Sequence, residues 1–227
     1  WVPFDLGRPL GSAGNPEFQK GVIRSALGML ETATEPTIED FPVEAPGEAG
    51  PGVWACPVSF AKPAENTITE RLVAEVIRMA PWSLETRRTR GRTLFGVTGA
   101  QTDQYETLAR AVGSLADSGE ITTAPDVGIN WSFPMPILIR HMADDLRSLY
   151  HEAVAAQPGP GAPNHAALSE WIFSSTALGE AFTAIADHLT AAGGTQELMT
   201  RGFLIPEGHY QGGSAFPSTA DFGSKDS

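Results

Sequence analysis

Across most of this chain apolar residues recur at helical rather than strand spacing. Asn15 followed by Pro16 reads as an N-cap and first helical position, where the missing proline N–H costs nothing. Phe18, Val22, Ile23, Ala26, Leu27 and Leu30 then predict an amphipathic helix over 16–32. Thr67 and Glu70 form a T-x-x-E capping box ahead of Leu72, Val76, Ile77 and Ala80, and this helix is expected to stop near Pro81-Trp82. Thr102 or Asp103 caps a further helix with Tyr105, Leu108, Ala109, Val112 and Leu115 as its stripe. Pro134 and Pro136 open another, running through His141, Asp145 and Tyr150 to Ala156. Asn164 caps a long helix over 165–192, ended by Gly193-Gly194, with Leu168, Trp171, Ile172, Leu178, Phe182, Ile185 and Leu189 facing inward. The intervening QPGPGAP turn (157–163) cannot continue a helix, so these last two should pack as an antiparallel hairpin.

Strand signals are fewer and shorter. They fall at 2–6, 53–60 (VWACPVSF, broken at Pro57), 93–97 (TLFGV, the clearest) and 121–130. The expected class is therefore α+β: a helix-dominated single domain with a few short strands and a C-terminal helical hairpin. That domain spans 1–206, with an internal boundary in the Pro/Gly/Glu-rich loop 42–52, and a Gly/Ser-rich tail follows over 207–227.

Composition narrows the partners. The 227 residues suffice for one domain with a real core, and 24 Gly with 18 Pro imply many loops. Fifteen Lys and Arg stand against 27 Asp and Glu, a net charge of −12, which disfavours nucleic acid or an anionic membrane surface. No stretch approaches a membrane span, the start lacks a secretion-signal pattern, and the lone Cys56 excludes an internal disulfide framework. A cytoplasmic setting is expected. The chain opens on Trp1 rather than Met, which leaves room for a segment upstream.

Several residues could carry chemistry, each with a plainer reading beside it. Cys56 is the only thiol available as a nucleophile, yet its neighbours Trp54, Pro57 and Val58 offer no cation to lower its pKa, and a buried structural cysteine is the plainer reading. His141 lies three and four residues before Asp144 and Asp145, where a carboxylate could orient its imidazole as a base; the alternative is a solvated polar face. Glu152 could extend that face. Glu170 beside Trp171 could have a raised pKa, and Trp131, Tyr150 and Trp171 read equally as core or as pocket wall. RRTRGR (87–92) gathers Arg87, Arg88, Arg90 and Arg92, a cluster able to grip a carboxylate or phosphate or simply to pair with acidic neighbours. The G-x-x-G turn at Gly96–Gly99 adds a weak anion-binding signal. The five histidines show no ligand spacing, so no metal site is argued for, and no motif specifies a cofactor.

Two stretches carry a resemblance. VPFDLGRPLGSAGNPEFQKGVIRSALGMLET (2–32) resembles the closing segment of the substrate-binding B component of glycine, sarcosine and betaine reductases, with a P-x-x-L-G-x-P-like turn before a helix ending in A-L-x-x-L. Residues 54–207 also resemble a group of reductase-like bacterial proteins through W-x-C-P-V (54–58), R-G-R-T (90–93), A-D-D-L-R-S-L-Y-H-E-A (143–153) and E-W-I-F (170–173). The resemblance implies a thiol-linked or reductive system acting on amino acids or their derivatives. The family's selenocysteine or cysteine nucleophile precedes the matched segment, whereas Cys56 follows it, so that role is carried over to no residue here. The expected arrangement has Arg92 binding an anionic group of a small-molecule substrate while His141, oriented by Asp145, moves protons. Trp131, Tyr150 and Trp171 would line the pocket. The competing expectation is a non-catalytic subunit that assembles with a partner chain or a second copy.

Overall fold

In the computed structural model of the protein, residues 1–2, 4, 9–11, 14–43, 67–121, 134–157, 163, 165–206 and 209 are described. They fall into two units, 1–54 with 163–167 and 55–162 with 168–227.

The first unit is built on helix α1 (Pro16–Thr32), which starts where Asn15 and Pro16 predict: the Asn15 side chain accepts from the Phe18 amide at 3.1 Å. Phe4, Phe18 and Phe41 meet edge to face with centroids 5.6, 5.9 and 6.1 Å apart, the geometry aromatic quadrupoles favour. Val22 is buried there, while Ile23, Leu27 and Leu30 remain exposed on the other side of α1.

The second unit holds α2 (Ile68–Arg90), α3 (Tyr105–Ser118), α4 (Met135–Ala156), residues 168–175 of α5 (His165–Ser175), α6 (Ala177–Ala192) and α7 (Thr195–Leu204). Helix α2 is central, packing chiefly on α4 and α3; α6 covers α3 and α2, and α7 closes over α6 and α4. Leu72, Val76 and Met79 of α2, Leu108 and Val112 of α3, Met142, Leu146 and Leu149 of α4, and Phe182 and Ile185 of α6 are all buried and form the core. The Thr67/Glu70 capping box forms as expected. Asp117 at the end of α3 adds a second cap, its oxygens accepting from the Ile68 and Thr69 amides at 3.0 Å each.

Several expectations are corrected. No strand occurs among the described residues, of which 73% are helical, so the α+β class gives way to an all-helical one. Segment 93–97, the clearest strand candidate, is a loop because its polar backbone groups are taken up by α4 rather than by a neighbouring strand. Val2, Phe4 and Ile121 are not in strands, and 53–60 lies outside the described residues.

Helix α2 does not stop at Pro81 but continues to Arg90, ending at Gly91 with φ +66°. Pro81 leaves the carbonyl of Ile77 without a helical donor, at a residue that is itself exposed. Beyond that point Ser83, Thr86 and Arg87 all bond to Glu152 of α4, which holds the last turns helical.

The expected 165–192 helix is broken at Thr176, whose backbone is extended (φ −118°, ψ 154°). Its hydroxyl donates to the Ile172 carbonyl at 2.7 Å and accepts from the Gly179 amide at 3.2 Å, ending α5 and capping α6 with one side chain. The two segments consequently do not form the expected hairpin with α4, whose main partners are α2 and α7. Helix α7 is an addition to the expected elements.

Candidate functional site

Loop 91–101 is where the site takes shape, because two carboxylates of α4 hold it. Gly96 adopts φ +107° and Gly99 φ +80°, and the Gly99 amide closes a turn onto the Gly96 carbonyl at 2.9 Å. The amides of Gly96, Val97 and Thr98 point together at Asp145, which accepts them at 2.6, 2.9 and 3.1 Å, with the Thr98 hydroxyl at 2.5 Å. Consecutive amides facing one anion form a nest. The anion that the G-x-x-G turn attracts is thus the chain's own carboxylate, fully buried.

Glu152 holds the other end. Its oxygens accept from Ser83 at 2.9 Å, Arg87 Nε at 2.8 Å and Thr93 Oγ1 at 2.5 Å. Arg87 lies over the rings of Phe95 and Tyr105, at 4.7 and 5.4 Å, so its charge is committed to this buried network. Burial raises the Tyr105 hydroxyl above its ordinary pKa, although its Ser83 hydrogen bond and Arg87 oppose the shift.

Above Glu152 opens a cleft of about 460 Å³ lined by Thr86, Arg90, Arg92, Thr93, Leu94, Ser148, His151 and Glu152. Arg87 and Arg88 are paired, with Glu152 and Glu85 respectively. Among the described residues Arg90 and Arg92 make no ion pair and the Ser148 hydroxyl no hydrogen bond. The cleft therefore presents two uncompensated guanidinium groups and a free hydroxyl on a chain of net charge −12.

A third buried carboxylate, Glu75 of α2, accepts the Tyr150 hydroxyl at 2.8 Å and the Ala177 amide at 2.8 and 2.9 Å, sitting at the positive end of the α6 dipole. Trp171 packs 6.0 Å from Tyr150. Burial, then the charge and hydrogen bond of Glu75, push the Tyr150 hydroxyl well above its usual range. This cluster joins α2, α4 and α6.

On α5, Ser169 Oγ lies 3.0 Å from His209 Nε2, with Glu170 4.0 Å from Nδ1 and Phe173 stacked on the ring at 4.8 Å. A nucleophile needs stabilisation of the oxyanion it creates. Ser169 lies inside a helix, where the local amides bond to carbonyls of the preceding turn. The contact ties His209 to α5.

The expected site residues are thus distributed. Arg92 lies in the cleft; Asp145 is enclosed under the 96–98 nest; His141 is half-buried on α4. Tyr150 and Trp171 come together, but over Glu75 rather than beside Arg92. Cys56 and Trp131 lie outside the described residues. Glu75, not among the expected site residues, does carry a legible signal, being an acidic residue inside the apolar stripe of Leu72, Val76 and Met79. Ser148 and His151 carry no such signal; only the fold brings them to Arg90 and Arg92. Among the described residues no three His, Cys, Asp or Glu side chains converge as metal ligands would, and no helix is long and apolar enough to cross a membrane. No family model, curated protein or solved structure matches this chain.

Proposed function

We propose that this chain is a subunit, or the whole, of a small-molecule enzyme whose substrate is anchored by an anionic group in the Arg90/Arg92 cleft. The observation that carries the reading is the pair of guanidinium groups left without counter-charge among the described residues, beside a buried, already neutralised Glu152. Both groups are exposed and so available to a ligand, and a guanidinium fork suits a carboxylate or phosphate in a concave site. His151 lies at the cleft wall. Asp145 and Glu152 hold the loop rather than react. The resemblance of residues 2–32 to the reductase B component supports amino acids or their derivatives as the substrate class.

Isothermal titration with glycine, sarcosine and betaine tests the reading on wild type and Arg92→Ala. Saturable binding that weakens about tenfold in the variant is expected. Equal binding by both proteins would place the ligand elsewhere and end the assignment.

A second reading, a non-catalytic subunit, is favoured by α1, whose Ile23, Leu27 and Leu30 form an apolar stripe 43%, 56% and 79% exposed. Such a stripe suits a partner helix. Replacing all three by Ser should abolish co-purification of a partner from the native host, and unchanged assembly in native mass spectrometry would remove the idea.

A further inference from the structure

Resting on the cleft reading above, we infer that the anion taken by this cleft is a phosphoryl group, and that the ligand is a small phosphomonoester such as a phosphorylated amino acid. The argument begins with charge. The charged side chains lining the cleft are Arg90, Arg92 and Glu152. Glu152 is neutralised from below by Arg87 Nε at 2.8 Å. The two remaining arginines line the cleft without an ion-pair partner among the described residues. A monocarboxylate cancels one of them. A phosphomonoester, close to −2 at neutral pH because its second pKa is about 6, cancels both.

Donor geometry points the same way. Each guanidinium is a planar fork of N–H donors and accepts nothing, and three terminal phosphoryl oxygens supply enough lone pairs for two forks and a hydroxyl. Ser148 offers that hydroxyl, since no described residue uses it. Thr93 cannot, because its proton is given to Glu152 at 2.5 Å and its oxygen accepts from the Phe95 amide at 3.0 Å. Those two bonds instead fix the backbone next to Arg92. The volume, about 460 Å³, leaves room beyond the phosphoryl group for an organic body the size of an amino acid.

The plainer account is that Arg90 merely complements the negative end of α2. It does lie in the last turn of that helix. Arg92 lies beyond the Gly91 cap, and the same helix end already has Arg87 and Arg88. Dipole complementation leaves Arg92 and Ser148 without a role.

The experiment uses the full chain at pH 7.5, with NMR and titration calorimetry, and three probes: inorganic phosphate, O-phospho-L-serine and L-serine. Phosphoserine and phosphate should bind competitively, shifting amides of 90–94 and 148–152, while serine binds at least tenfold more weakly. Arg90→Ala and Arg92→Ala should each lose about tenfold in affinity. Arg88→Ala, which removes one charge from the same cluster outside the cleft, should keep it. Far-ultraviolet circular dichroism of each variant should match wild type, because both cleft arginines are exposed and make no ion pair among the described residues. Equal affinity for serine and phosphoserine, with phosphate failing to compete, would overturn the phosphoryl assignment and leave the cleft reading standing. No binding of any probe here, nor of glycine, sarcosine or betaine, at millimolar concentration would overturn both. An equal loss in Arg88→Ala would reduce the effect to nonspecific charge and overturn the inference.

Discussion

Asp145 and Glu152 stand two turns apart on one side of α4, and each holds one end of the loop that carries Arg92. Asp145 receives the amides of Gly96, Val97 and Thr98; Glu152 receives the Thr93 hydroxyl. Between these anchors Leu94 is 82% exposed, so the segment is bound at its ends and presented at its middle. The arrangement positions an exposed cationic residue without burying it.

Asp145→Asn tests that anchor. One oxygen of the amide can still accept, but the charge opposite three converging N–H groups is lost and an NH₂ replaces an acceptor. The expected cost is about 2–4 kcal/mol, the scale for breaking charge-assisted bonds in a buried site. Chemical denaturation measures it, and a change below about 1 kcal/mol would show that the loop does not depend on the nest.

Tyr150 makes alkaline stability informative. Its hydroxyl is held well above the ordinary value by burial and by Glu75, so the folded state keeps a proton that the unfolded chain releases near pH 10. That contribution is intact below pH about 10 and declines as pH rises past it. Tyr105, also raised by burial, acts in the same direction. Tyr150→Phe should cost about 1–2 kcal/mol at pH 7 by leaving Glu75 one donor short. Its stability should then fall less steeply than that of wild type between pH 10 and 11. Parallel curves would refute the assignment.

Asp117 gives the complementary acid limb. Burial raises its pKa, but hydrogen bonds from Thr69 and Ile68 and the charge of Arg71 outweigh that and hold it below the usual carboxylate range. A depressed folded value stabilises above the unfolded pKa of about 3.9, and the benefit fades as pH falls through the folded one. Asp117→Asn should lose about 0.5–1 kcal/mol at pH 7, a modest figure because the site is exposed and screened. The gap from wild type should narrow as pH falls below the unfolded value of about 3.9, as thermal melts across pH 2–7 would reveal; a constant gap would mean that the cap works without its charge.

Gly179 records the closeness of the α5–α6 break. A Cβ there would lie 2.2 Å from the Ile172 carbonyl oxygen and 2.6 Å from the Phe173 Cα, both backbone atoms that cannot rotate away. Gly179→Ala should destabilise by about 1–3 kcal/mol through forced backbone shifts. Gly28 in α1 has open space where its Cβ would go, and Ala there should add helical stability of about 0.5–1 kcal/mol. Opposite shifts in melting temperature are the expected pair. An unaltered Gly179→Ala melt would mean that α6 can slide on α5.

How much of this could be read in advance differs element by element. The starts of α1 and α2 were legible because Asn15-Pro16 and Thr67/Glu70 satisfy orphan amides with residues three or fewer positions away. The Gly193 end of α6 was legible for the same local reason, a left-handed φ of +69°. At 93–97 the β-type composition competes with a carboxylate about fifty residues further along the chain, and that partner leaves no trace in the segment itself. The cleft is likewise divided: its arginines form a visible run, but Ser148 and His151 reach them only through the packing of α2 on α4.

The sequence by itself therefore determined the helical starts, the apolar stripes and the arginine cluster, because caps, periodicity and local charge act within a turn or two of chain. Only the tertiary structure decided that α2 continues past Pro81, that 165–192 breaks at Thr176 and that 93–97 is a held loop. Each of those outcomes rests on buried polar groups finding partners, often across long stretches of chain, and leaving such a group unsatisfied costs more than any local propensity can return.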